Sequence, residues 1–157
     1  MERELGKDQL GGEPREGSLE LEDMPGYWVR RATQQVRAYF NEECGADAGI
    51  TPEQYTVMCV VEREGVTDQT RLARAASLDL ATTGNIVRRL VGRGWLDRRK
   101  RKSDTRAWEL TLTGEGAELL RLSRQKGRRV RERFFQDLTP EESDEFLRLI
   151  RIIVDGK

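Results

Sequence analysis

Two short stretches of the sequence carry side chains that can bind a nucleic acid. Residues 98–106 hold six basic side chains, Arg98, Arg99, Lys100, Arg101, Lys102 and Arg106. Residues 82–89 hold hydroxyl, amide and guanidinium groups, on Thr82, Thr83, Asn85, Arg88 and Arg89. Arginine can read guanine through two parallel hydrogen bonds, asparagine can read adenine in the same way, and clustered cations bind phosphates. These residue types indicate contact with the grooves and backbone of double-stranded DNA.

The charge is strongly segregated along the chain. The formal net charge is zero and the pI is about 6.4, yet residues 67–112 hold 11 basic and five acidic side chains and residues 113–136 hold seven and three. The first 24 residues are acidic, with three basic and eight acidic side chains, and residues 25–66 and 137–157 are also net negative. Because a polyanion responds to the field of the contacting face, the local excess matters more than the total.

Several function classes lack the residues they need. The chain has no histidine, which removes the commonest general base and the commonest metal ligand. It also has no glycine-rich phosphate loop and no paired acids in an apolar setting, so we predict no catalytic site, no metal and no cofactor. No apolar run approaches the roughly 20 residues that span a membrane. Residues 1–23 lack the apolar stretch of a signal peptide, and we expect a cytoplasmic protein.

The coarse order of elements follows from apolar spacing and helix caps. Residues 1–23 are predicted to be a disordered acidic tail. An apolar stripe then predicts a helix over about 25–43, and Thr51-Pro52-Glu53-Gln54 predicts a capped helix that ends at Gly65. A third helix is expected over 69–76 and, after a short turn, a fourth from Ala81 or Thr82 to Arg93.

A basic hairpin is predicted after the fourth helix. Residues 95–99 and 107–112 have the pattern of strands, and Trp108, Leu110 and Leu112 are expected to point inward. The polar tip between them contains one acid, Asp104, which is expected to shape the tip by bonding backbone amides or Arg106.

The fold class that follows is mainly α with a small two- or three-stranded β wing. We predict a winged helix-turn-helix over about 50–112, with the helix that begins near Thr82 in the major groove and a wing arginine in the adjacent minor groove. Two further helices are expected over about 114–136, capped by Thr113, and from the Thr139 capping box to about Val154. The last helix is apolar on more than one side, which requires more than its own monomer to cover it.

Residues 25–157 resemble the MarR family of ligand-responsive regulators. The resemblance is carried by Thr51 to Tyr55, Gln69 to Ala73, Leu80 to Thr83, Arg93 to Leu96 and, most clearly, the wing stretch from Ser103 to Gly116. It implies one domain over 24–157, which forms a homodimer through helices at about 25–45 and 114–155. It also implies a palindromic DNA operator, commonly near the regulator's own gene, and release of DNA when a small molecule binds.

The family resemblance also implies an effector cleft between the dimerisation helices and the DNA-binding lobe. Six residues lie on the helices that would line it, namely Tyr27, Trp28, Arg31, Tyr55, Met58 and Cys59. Arg31 could pair with a carboxylate and the aromatic rings could stack on a ring. Residues 26–32 are similar to members that govern aromatic-acid breakdown, so the expected effector is an aromatic carboxylate or its thioester. Plain core packing is the alternative for each aromatic residue.

Three other interpretations of the chain stay open. A thiol-based redox regulator of the same fold would use Cys59, which lies on an apolar helix face, or Cys44, whose neighbours Glu42 and Glu43 should raise its pKa. The peroxide-sensing branch instead has its reactive cysteine near the start of the first helix. A protein-interaction module would explain the apolar last helix but not the positive charge of residues 67–112. An activator or architectural binder of the same fold is the third.

Overall fold

The computed structural model describes residues 20–45, 49–100 and 108–156. Within these ranges the chain forms six α-helices and one two-stranded antiparallel sheet, which confirms the mainly helical fold class with a small β wing. The elements are α1 Pro25–Phe40, α2 Pro52–Glu64, α3 Gln69–Ala75, α4 Leu80–Gly92, β1 Leu96–Lys100, β2 Trp108–Leu112, α5 Gly114–Phe134 and α6 Pro140–Asp155. A 3₁₀ turn, Leu21–Asp23, precedes α1, and a π-helical turn, Asn41–Gly45, follows it.

Reciprocal capping boxes begin α2 and α6, as predicted. The Thr51 hydroxyl accepts from the Gln54 amide at 3.3 Å, and the Gln54 side chain accepts from the Thr51 amide at 3.1 Å. Thr139 and Glu142 make the same exchange at 3.2 and 2.8 Å. Each box satisfies backbone donors that a helix start leaves without partners.

Helix α4 begins earlier than the pattern predicts. Its N-cap is Asp79, whose carboxylate accepts from the Thr82 amide at 2.7 Å and from the Thr82 hydroxyl at 2.6 Å. Leu80 is therefore the first helical residue, because aspartate is a strong N-cap and its carboxylate satisfies a free backbone amide of the first turn.

The hydrophobic core lies within residues 34–157, which form a compact unit separate from residues up to Thr33. Its most deeply buried side chains come from the helices and both strands, and they include Val57, Met58, Leu72, Leu90, Leu96, Leu110 and Leu120. This shared core joins α2, α3, α4, the hairpin and α5, so it sets where the exposed face of α4 lies relative to the wing.

The wing pairs Leu96 with Leu112 at its base and Lys100 with Trp108 at its outer end. In place of a third strand, a single bridge joins Thr67 to Leu110, whose amide donates to the Thr67 carbonyl at 3.0 Å. The expected inward alternation holds for Leu110, which is buried, and partly for Leu112. It fails for Trp108, which is 38% exposed, because this residue opens the strand beyond the edge of the core.

Candidate nucleic-acid interface

Helix α4 has one face in the core and one face open to solvent. Ile86, Val87 and Leu90 are buried. Asn85, Arg88 and Arg89 are exposed. The helix is thus amphipathic, and its polar side presents an amide and two guanidinium groups from consecutive turns.

Thr83 is a correction to the predicted contact set. It is fully buried, and its hydroxyl donates to the Asp79 backbone carbonyl at 2.8 Å. The reason is helical periodicity, since Thr83 lies three and four residues before Ile86 and Val87 and so shares their inner face. Thr82 keeps part of its surface, but its hydroxyl proton is already donated to the Asp79 carboxylate.

Asn85 and Arg88 are joined by a hydrogen bond in which the Arg88 guanidinium donates to the Asn85 side-chain oxygen. They lie three residues apart on α4, which places them on neighbouring turns of one face. Arg89 makes no ion pair with any residue that the structure describes. The two predicted arginines therefore differ, since one is tied to an amide and the other is open to an external anion.

The described part of the wing adds three cations beside this helix. The Arg98 guanidinium lies 4.2 Å from the centre of the Trp108 ring and the Lys100 ammonium lies 5.9 Å from it. Arg99 pairs with Asp97 at 2.6 Å but leaves 79% of its side chain exposed. The other predicted wing residues, Arg101, Lys102, Asp104 and Arg106, lie outside the described residues.

The Trp108–Arg98 contact is a feature that the strand pattern did not predict. It borders a cleft of about 250 Å³ between the start of α3, α4 and the hairpin, lined by Asp68, Gln69, Thr70, Val87, Arg98, Trp108 and Leu110. The cross-strand basic residues could have indicated it, because arginine commonly stacks on tryptophan.

The second basic segment, on α5, is largely neutralised by acids elsewhere in the fold. Its ion pairs join Arg121 to Glu118, Arg124 to Glu62, Arg129 to Glu43, Arg131 to Asp144 and Arg133 to both Glu42 and Glu43. The hydrogen bonds that Arg124 donates to the Glu62 carboxylate raise the pKa of Arg124. Most arginines of α5 are therefore paired within the chain, whereas on α4 and β1 only Arg99 has an acidic partner among the described residues, Asp97.

The predicted effector residues in the first unit form a compact exposed cluster. The Arg31 guanidinium lies 5.5 Å from the Tyr27 ring centre and 5.3 Å from that of Trp28, and it donates to the Tyr27 hydroxyl at 3.1 Å. The two rings meet edge to face, with centres 5.2 Å apart. Trp28 is half exposed, and its indole donates to the Glu22 carbonyl at 2.7 Å.

The predicted effector residues in the second unit do not behave alike. Tyr55 and Cys59 are half-buried one turn apart on α2, and burial, with Cys59 beside it, raises the pKa of Tyr55 to about 12. Met58 is a correction, because it is fully buried in the core and presents no surface to a ligand. The reason is helical periodicity, since Met58 lies three residues before Val61, which is also fully buried, and so shares its inner face.

Both cysteines have raised pKa values. Burial is the main cause for Cys44, Lys126 opposes it, and Glu43, one of the two acidic neighbours expected to raise this pKa, adds a smaller increase. Burial also raises the pKa of Cys59. Less thiolate at neutral pH means a slower reaction with oxidants.

The described residues hold no group of three or more potential acidic, cysteine or histidine metal ligands. Among them, no helix combines the length and the hydropathy needed to cross a bilayer.

Known proteins resemble this chain in both sequence and fold. Residues 50–108 match the MarR family. The transcriptional regulator HosA of Escherichia coli O111:H- is 30% identical over 82% of this chain and 93% of its own length, and the HTH-type transcriptional repressor NicR of Pseudomonas putida KT2440 is 28% identical over 87% and 86%. The structure of Bordetella bronchiseptica BpsR superposes with a TM-score of 0.83 at 26% identity, covering 90% of this chain and all of BpsR. With its winged helix-turn-helix and these relatives, the chain belongs to the MarR family of transcriptional regulators.

Proposed function

We propose that this regulator is a cytoplasmic, non-enzymatic repressor that binds a palindromic DNA operator as a homodimer. We further propose that an aromatic acid or its conjugate releases it. The observation that carries the proposal is the distribution of available cations. On α4 and β1, two elements held by one core, Arg88, Arg89, Arg98 and Lys100 form no ion pair with a described acid. On α5, by contrast, five arginines are paired with acids.

The proposed DNA surface consists of Thr82, Asn85, Arg88 and Arg89 on α4 and of Arg99 and Lys100 on β1. The tip residues Arg101, Lys102 and Arg106 complete the proposal by their positive charge, and Asp104 by its expected role in shaping the tip. In this arrangement α4 enters the major groove and the wing follows the backbone into the next minor groove. Arg99 and Lys100 supply phosphate contacts, and Asn85 and Arg88 read bases.

The proposed dimer is supported by the uncovered face of α6. Ser143 is the one buried residue of this helix among those the structure describes. Leu149, Ile152, Ile153 and Val154 are each 42–76% exposed. A contiguous apolar face of this kind marks an interaction surface, and a second copy of the chain is the partner that the two-fold symmetry of a palindrome requires.

The proposed effector residues are Tyr27, Trp28 and Arg31, which form one cluster, and, on α2 and considered separately, Tyr55 and Cys59. A guanidinium beside two aromatic rings suits an aromatic carboxylate, since the rings can stack on the ring of the ligand and the arginine can pair with its charge. BpsR supports this chemical class, because its DNA binding is regulated by 6-hydroxynicotinic acid. NicR, which is named a transcriptional repressor, supports repression rather than activation.

The test is duplex binding by fluorescence anisotropy at several salt concentrations, on an operator obtained by selection from random duplexes. We expect specific binding that falls steeply with salt, and we expect 6-hydroxynicotinic acid or a related aromatic carboxylate to release the DNA. The Arg99→Ala/Lys100→Ala variant should lose up to about 1.8 units of the log–log salt slope per subunit, at roughly 0.9 per phosphate contact. Arg121→Ala, whose partner Glu118 lies on the same helix, is the matched control and should keep the slope.

No binding to any duplex at low ionic strength would overturn the proposed function. An unchanged salt slope in the Arg99→Ala/Lys100→Ala variant would show that neither of these two wing residues contacts the DNA phosphates.

A further inference from the structure

We propose that Asn85 and Arg88 work as one donor unit that selects a guanine in each operator half-site. This inference rests on the proposed DNA-binding function and deepens it by naming the base that α4 reads. It also replaces the residue-by-residue expectation, in which asparagine reads adenine and arginine reads guanine separately.

The hydrogen bond between the Asn85 and Arg88 side chains has a defined direction. The Arg88 guanidinium donates to the Asn85 side-chain oxygen, and both side chains are exposed on the outer face of α4. An arginine side chain has only donors. The Asn85 amide must therefore turn its oxygen toward Arg88, because the opposite orientation would place its NH₂ group against a cation. This leaves the Asn85 NH₂ hydrogens and the remaining Arg88 N–H groups as the groups available to DNA.

A surface of donors discriminates between purines. Guanine presents two acceptors in the major groove, N7 and O6, whereas adenine presents the N7 acceptor beside the N6 amino donor. Asparagine reads adenine by donating to N7 and accepting from N6. The Asn85 oxygen keeps a second lone pair, but an adenine amino group that approached it would bring its own hydrogens beside the Arg88 guanidinium. The Asn85–Arg88 pair therefore disfavours adenine and fits the two acceptors of guanine.

Arg89 provides an internal comparison on the same helix. It is exposed like Arg88, but it forms no side-chain pair with any described residue and lies one position farther around α4. Its removal should weaken DNA binding without changing the base selected by the Asn85–Arg88 pair, because its side chain leaves the helix in a different direction.

The experiment is selection from random duplexes with the full-length wild-type protein and with Asn85→Ala, Arg88→Ala and Arg89→Ala, followed by anisotropy on single-base variants of the selected operator. The half-site position whose preference changes in both the Asn85→Ala and Arg88→Ala proteins is the contacted one. We expect guanine there for the wild type, with at least about a tenfold preference over adenine, as for one good base contact. Replacing that guanine with 7-deazaguanine, which lacks the N7 acceptor, should weaken binding several-fold.

Arg88→Ala gives the sharpest outcome. It frees the Asn85 oxygen, so the preference for guanine over adenine should fall at least tenfold and adenine should become acceptable at that position. Arg89→Ala should bind more weakly and still select guanine. Circular dichroism of each variant verifies that α4 remains folded.

Each other outcome has a distinct meaning. If the wild type selects adenine at the contacted position, the inference is overturned while the proposed function stands. The same holds if the wild type, Asn85→Ala and Arg88→Ala all show one unchanged base preference. Failure of the wild-type protein to enrich any duplex would overturn both.

Discussion

The backbone carbonyl of Trp95 lies directly against the Cα atom of Gly116. A β-carbon at residue 116 would lie 2.0 Å from that oxygen, far inside any permitted contact. The same carbonyl accepts from the Thr113 amide at 3.2 Å, and the Thr113 hydroxyl donates to the Gly94 carbonyl at 2.6 Å. The start of α5 is thereby held against the segment that enters the wing.

Replacing Gly116 should therefore destabilise the protein strongly. Gly116→Ala would force two backbone segments apart, and we expect a loss of about 3 kcal/mol or more in the free energy of unfolding, the upper end for overpacking. Gly114→Ala is the control, since nothing lies within 4 Å of a β-carbon there, and it should be neutral or slightly stabilising. Urea denaturation measures both, and equal stability of the two variants would contradict the close approach.

A second close approach links the two helices of the helix-turn-helix. A β-carbon at Gly84 would lie 2.9 Å from the side-chain nitrogen of Gln69, which donates to the Leu80 carbonyl at 3.2 Å. Gly84→Ala alone should cost about 1 kcal/mol, because it displaces Gln69 from this hydrogen bond. In a Gln69→Ala background it should instead stabilise α4 by up to ~1 kcal/mol, since alanine is the better helix former.

A double-mutant cycle in urea measures this coupling. Gly92→Ala, which meets nothing within 4 Å, should have the same effect in both backgrounds. A Gly84→Ala effect that does not depend on residue 69 would show that the two positions are independent.

The N-cap of α4 should make part of the stability dependent on pH. Hydrogen bonds from the Thr82 side chain and backbone lower the pKa of Asp79 below its ordinary value of 3.8. A carboxyl whose pKa is lowered by folding stabilises the native state fully above its unfolded pKa, and the contribution disappears as the pH falls through the folded pKa. Asp79→Asn keeps a capping side chain but cannot ionise.

We therefore expect the wild type to be more stable than Asp79→Asn near pH 6, and we expect the difference to shrink as the pH falls below 3.8. Urea midpoints between pH 6 and pH 2.5 measure this difference, and the other carboxyl groups cancel because both proteins share them. A difference that is constant over this range would mean that the Asp79 charge does not contribute.

The exposed apolar face of α6 should determine the oligomeric state. Ile153 is 76% exposed in the single chain, so Ile153→Glu should change the fold of one subunit little but place a charge in the proposed dimer contact. We expect a dimer for the wild type at micromolar concentration and a monomer for the variant in sedimentation velocity. Arg148→Ala, which removes a pair with Glu145 on the same helix, is the control and should remain dimeric. A monomeric wild type would exclude this interface.

Local interactions explain which element boundaries could be predicted from the sequence. The starts of α2 and α6 follow from capping boxes that join residues three apart, and the end of α2 follows from Gly65, whose φ of 71° favours glycine. Such contacts depend on chain neighbours alone, so Thr51, Thr139 and Gly65 could be assigned their roles without a fold. The predicted start of α4, at Ala81 or Thr82, is one or two residues late, because the prediction did not include the Asp79 cap that makes Leu80 the first helical residue.

Which charged and polar groups stay available to DNA depends on how the elements pack. Arg124 and Arg133 are engaged by acids 62 and 90 residues away along the chain, a distance at which sequence spacing carries no information about partners. The same packing buried Thr83 and Met58 and left Trp108 at the edge of the core. Composition located the positive charge, but only the fold separated the cations that it neutralises from those that it leaves open, because long-range ion pairs depend on how the elements pack.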